Sequence, residues 1–128
     1  MNISPTRIFN GKPSRTGTFA DLLVRYVRER RGGDAPAVYG EARLNRRTWS
    51  AIVSDPFRPV SKRTAIQFAF ALHLSLGEAE DLLRSAGYAF SPVIPEDVCF
   101  VEFIENGMYD LFKVNARLYD LGLKVIVS

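Results

Sequence analysis

A chain of 128 residues with 47% apolar side chains is about one domain's worth of sequence, with enough apolar surface to build a core. One cysteine, Cys99, and one histidine, His73, leave no internal disulfide and no Cys/His set for a structural metal. The opening MNISPTRIFNGKPSRTG lacks the apolar core of a signal peptide, and no run approaches the roughly 18 apolar residues of a membrane helix, so the expectation is a soluble, cytoplasmic protein.

The net charge of +3 hides a gradient. Residues 1–17 carry Arg7, Lys12 and Arg15 and no acid; residues 18–64 carry ten basic and five acidic side chains; from residue 65 four basic side chains face nine acidic ones. A basic front suits a polyanion such as nucleic acid, and an acidic back half suits a different task.

Residues 1–17 mix Pro, Gly, Ser, Asn and Thr without an apolar period and are expected to form a flexible basic arm. From Thr18 the residues Phe19, Leu22, Leu23, Tyr26 and Val27 recur at helical spacing, with Thr18 and Asp21 placed as a capping box and Arg28 to Gly33 closing the helix. Asp34 caps a short second helix with Pro36 in its first turn. Asn45 caps a third; at about 100° per residue, Thr48, Trp49 and Ile52 gather on one side and Arg46, Arg47, Ser50 and Ala51 on the other.

The loop SDPFRPVS holds two prolines and separates this helix from KRTAIQFAFALHL, which Ser61 caps. That fourth helix is apolar nearly all round, hence central and buried, and His73 on it reads as a satisfied core histidine. Ser75 to Glu78 is a second capping box and opens a helix that ends at Gly87. A sixth begins near Glu96 with Val98, Val101 and Ile104 as its stripe, broadened by Phe100 and Phe103, and stops at Gly107. A seventh runs from about Asp110 to Gly122 with Leu111, Val114, Leu118 and Leu121 on one side, and the closing LKVIVS reads as a short strand or a docked tail.

Short helices of which the second and third are joined by a few residues make the pattern of a helix-turn-helix domain. DAPAVYGEARLNRRTWSAIVSD resembles the core of the lambda-repressor-like (Cro/CI, XRE-type) family, and RPVSKRTAIQFAFALHLSLGEAEDLL resembles the two helices that follow it, a likeness covering about residues 18–86. The family's polar cap, polar helix start and two aliphatic knobs match Asn45, then Arg46, Arg47 and Thr48, then Trp49 and Ile52. The chain departs from the pattern in helix 2, where a small residue is replaced by Tyr39 beside Gly40, in the turn, where Arg43 stands for glycine, and at the helix 2 opening, which is Ala35-Pro36.

The resemblance implies an all-α fold: a lambda-repressor-like five-helix domain over about 18–87, within a unit 18–90; residues 91–128 lie outside the family pattern, and their surplus apolar side chains lead to the expectation of an extension that packs on the same domain or dimerises. The resemblance also implies a bacterial or phage transcriptional regulator that binds double-stranded DNA as a homodimer, without cofactor or metal. Asn45, Arg46, Arg47, Ser50 and Ala51 are the base-reading candidates, and Arg43, Arg58, Lys62 and Arg63 the phosphate candidates. Each has a plainer alternative: Asn45 as a helix cap, the arginine pair as a solvated first turn, and Trp49 is expected in the core. A second functional reading is a non-catalytic interaction module, such as an antitoxin, adaptor or defence-system component, that engages another protein through residues 96–128. The sequence holds no Gly-rich phosphate loop, no G-x-S-x-G and no carboxylate–histidine constellation, so catalysis is not expected.

Overall fold

A computed structural model describes residues 17–126 as seven helices: α1 (Phe19–Arg31), α2 (Ala35–Glu41), α3 (Arg46–Ser54), α4 (Lys62–Ala71), α5 (Leu76–Ser85), α6 (Pro95–Glu105) and α7 (Leu111–Asp120). The flexible arm expected over 1–17 lies, but for Gly17, outside the described residues. Among those residues there is no strand and no helix long and apolar enough to cross a membrane.

Helix starts follow from single side chains. Thr18, Asp34, Asn45, Ser61, Ser75 and Asp110 each accept a backbone N–H from the first turn, and Thr18–Asp21 and Ser75–Glu78 close complete capping boxes. α6 starts instead at Pro95, whose missing N–H costs nothing there. The ends of α2, α4, α5, α6 and α7 share one device, a pair of backbone bonds that folds the chain back over the last turn. At the end of α2 Leu44 N–H donates to Tyr39 C=O at 2.8 Å and Arg43 N–H to Gly40 C=O at 3.0 Å; at the end of α4 Leu74 donates to Ala69 and His73 to Phe70, both at 3.1 Å. The residue at the fold-back must take a left-handed φ. Gly87, Gly107 and Gly122 do so after α5, α6 and α7, whereas Arg43 (φ 61°) and His73 (φ 52°) do so without the freedom of glycine.

His73 is therefore not the core histidine expected from the sequence. α4 stops at Ala71, three residues short of the expected end, and the His73 ring sits exposed, stacked on Tyr109 with centroids 4.6 Å apart. The rest of α4 does lie at the centre: every residue from Ala65 to Leu72 is buried, and the helix packs against α2 and α5. α1 closes the far side against α2 and α5, α3 packs on α2, and α6 packs on α5 and α7.

One contiguous core runs through all of these helices. Phe70 meets Phe100 edge-on at 6.1 Å and so ties α4 to α6, and burying Phe100 contributes on the order of 2–3 kcal/mol. The inner face of α6 is Cys99, Phe100 and Ile104, rotated from the expected stripe, so that Val98 is left exposed. Burial pushes the Cys99 thiol up, which keeps it protonated and inert. Of the two expectations for the terminus, strand or docked tail, the strand does not form within the described residues. Instead the tail is docked by one amide: Asn115 Oδ1 accepts from Ile126 N–H at 2.7 Å and Asn115 Nδ2 donates to Ile126 C=O at 2.9 Å.

Candidate nucleic-acid interface

The side of α3 that points inward is fixed by packing. Ile52 is buried, and Trp49 is half-buried, its ring 6.1 Å from Phe68 and 6.3 Å from Tyr39. Below the turn, buried Gln67 donates from Nε2 to the Ala42 carbonyl at 2.8 Å, which pins the end of α2 to α4. With that side held, the opposite one must face solvent: Asn45, Arg46, Arg47 and Ser50 are exposed and Ala51 is half-buried.

Asn45 is used as a cap. Its Oδ1 accepts from Thr48 N–H at 2.9 Å and from the Thr48 hydroxyl at 3.2 Å, leaving the amide N–H groups as its remaining donors. Arg46 and Arg47 stand in the first turn, where a positive side chain opposes the helix dipole. The ion pairs of the described residues are Arg30–Glu78, Arg31–Glu41, Lys62–Asp97 and Arg84–Asp81, so Arg46, Arg47 and Arg58 take part in none. Arg58 is exposed in the loop after α3, beside Phe57, and borders an open cleft of about 730 Å³ that Arg25 and Arg84 also line.

The other three phosphate candidates face the C-terminal extension. Lys62 Nζ lies 2.6 Å from Asp97 Oδ2, and Asp97 is buried at the start of α6. Arg63 donates to the Lys124 carbonyl at 2.8 Å while its guanidinium covers the Phe100 ring at 5.4 Å. Arg43 lays its guanidinium 4.7 Å from the Phe112 ring centroid, and its Nε is buried without a hydrogen-bond partner.

So the structure splits the basic stretch: Asn45, Arg46, Arg47 and Ser50 are exposed on and before α3 with Ala51 half-buried, Arg58 is exposed in the loop that follows, and Arg43, Lys62 and Arg63 are engaged by the C-terminal extension. Gln67 and Asp97, which set this geometry, were not singled out as site residues in the sequence. Gln67 did carry a signal, as the one amide in an otherwise apolar run. Asp97 carried none beyond its place in a first turn. No family model, curated protein or solved structure matches the chain.

Proposed function

We propose that the protein binds duplex DNA without catalysis, presenting the start of α3 to the major groove as a regulator would. What supports this reading is the pair Arg46 and Arg47, exposed at a helix start without a carboxylate partner among the described residues, at a small electrostatic cost that a bound anion would relieve. Their forked donors fit guanine O6 and N7 or a phosphate, Ser50 stands one turn further along, and the remaining amide donors of Asn45 complete the base-facing set. Arg58 takes the phosphate role. Arg43, Lys62 and Arg63 belong in this reading to the scaffold behind the helix.

A salt titration on a DNA fragment from beside the protein's own gene tests the reading. Wild type is expected to bind with an affinity that falls as salt rises. Arg58→Ala should reduce the salt slope by about one for every sequence, and Arg46→Ala/Arg47→Ala should cost about 1–3 kcal/mol per lost base contact. Salt-independent or absent binding by wild type, or unchanged binding by a folded double variant, refutes it. The interaction-module reading is favoured by a separate observation, the exposure of Phe112 and Tyr119 on α7.

A further inference from the structure

α7 buries one side and leaves a patterned stripe on the other. Taking Ala116 as reference and about 100° per residue, Leu111, Val114 and Leu118 point roughly 160–220° away, into the core. Phe112 and Tyr119 lie roughly 40–60° to one side of Ala116, and Lys113 and Asp120 roughly 40–60° to the other. All five are exposed, Phe112 by 72% and Tyr119 by 77%, although both are aromatic. Among the described residues, Arg43 is the one side chain in ring contact with Phe112, and Tyr119 enters no aromatic or cation–π pair.

Both flanks repeat at seven residues, the spacing that keeps one helix seam in register with another. When two copies pack antiparallel about a twofold axis, each flank meets the same flank of the other copy in reverse order. With the axis at Ala116, Phe112 meets Tyr119 of the second copy, and Lys113 meets Asp120 of the second copy, each contact occurring twice. The aromatic flank is thus self-complementary in shape and the charged flank in sign. A parallel pairing does neither, since it sets Lys113 beside Phe112 and leaves the charges without partners. Ala116 adds the last requirement, a small side chain at the axis, where the two backbones come closest.

We propose that this stripe is a self-association surface and that its occupant is a second copy of this chain, packed antiparallel through α7. The inference does not depend on DNA binding. Because Arg43 reaches from the α2–α3 turn to Phe112, the surface adjoins that turn, and pairing would hold two α3 helices in one particle.

Sedimentation equilibrium on the full chain gives the first test, with twice the chain mass expected at high micromolar concentration. Phe112→Glu should leave the helical spectrum unchanged and abolish the dimer. Lys113→Asp or Asp120→Lys alone places like charges at both symmetric contacts and should raise the dimer Kd on the order of tenfold, whereas the two together should restore it. Ala116→Cys should cross-link covalently under mild oxidation, while Arg117→Cys, off the axis, should not; Cys99, 2% exposed, does not compete. A wild type that stays monomeric overturns the proposal, as does a dimer that survives Phe112→Glu, a double charge reversal without recovery, or an Ala116→Cys variant that fails to cross-link.

Discussion

Replacing Lys62 by alanine leaves the Asp97 carboxylate, with a side chain only 4% exposed, without the cation now 2.6 Å from it. Removing one partner of a buried pair costs roughly 3–5 kcal/mol, because the remaining charge has neither water nor a counter-ion. The Lys62 side chain is 26% exposed, so water enters the vacated space in part, and the Ser91 N–H still donates to the same Oδ2 at 2.8 Å. Both place the loss at the lower end, about 3 kcal/mol, which for a domain of this size is roughly 12 °C in Tm. Asp97→Asn should cost less, about 1 kcal/mol, since it keeps an acceptor for Ser91 and lets Lys62 turn to solvent. Lys62→Met/Asp97→Leu removes both charges and should recover most of the loss. Urea titrations of the three variants measure the series. The reasoning is refuted if Lys62→Ala lies within about 0.5 kcal/mol of wild type, the range of an ordinary exposed substitution; a weakened DNA affinity at unchanged stability would then return Lys62 to the phosphate-binding set.

Trp49→Ala should destabilise by about 2–3 kcal/mol, below the 3–5 of a fully buried aromatic because the side chain is only partly buried, while Trp49→Phe keeps the edge contact with Phe68 and should cost less; equilibrium unfolding by urea decides. Hydrogen bonds from Arg30 and Arg31 hold the Glu78 and Glu41 carboxyls below the ordinary glutamate range. A depressed folded pKa gives stability that is complete at neutral pH and is lost as pH falls from the ordinary value through the depressed one. Both pairs are substantially exposed, so each contributes under about 1 kcal/mol, and Glu78→Gln should lower the neutral plateau of a Tm-versus-pH curve by that small amount, leave the acid end unchanged and so flatten the acid limb.

Helix starts were legible because each is decided locally: a hydroxyl, amide or carboxylate at Thr18, Asp34, Asn45, Ser61, Ser75 and Asp110 reaches a donor two or three residues on. Ends marked by glycine were legible for the same reason. The end of α4 was not, because His73 adopts a conformation its side chain disfavours by roughly 1–2 kcal/mol, and only tertiary contacts, Leu74 fully buried and the ring lying on Tyr109, offset that cost. Arg43 is the same case after α2: it takes a φ of 61° without the freedom of glycine, and no local signal marks it. The face of α3 was legible from angular spacing alone. The partners of Arg43, Lys62 and Arg63 were not, since Phe112, Asp97 and Lys124 lie 35 or more residues further along the chain and no local pattern connects them.

The division of the basic stretch has an energetic logic that links the two halves of the molecule. A helix start with two unpaired arginines is slightly unstable by itself, so its position has to be enforced from behind. Gln67 holds the turn, Trp49 and Ile52 hold the helix, and Lys62 and Arg63 anchor the next helix to α6 and to the tail. The acidic, apolar extension thus braces the helices that follow α3 and takes Arg43, Lys62 and Arg63 as partnered or stacked residues. What remains exposed is a smaller set of cations, Arg46 and Arg47 at the start of α3 and Arg58 in the loop after it, and a few cations held on packed elements favour a defined geometry of contact over diffuse attraction to any polyanion.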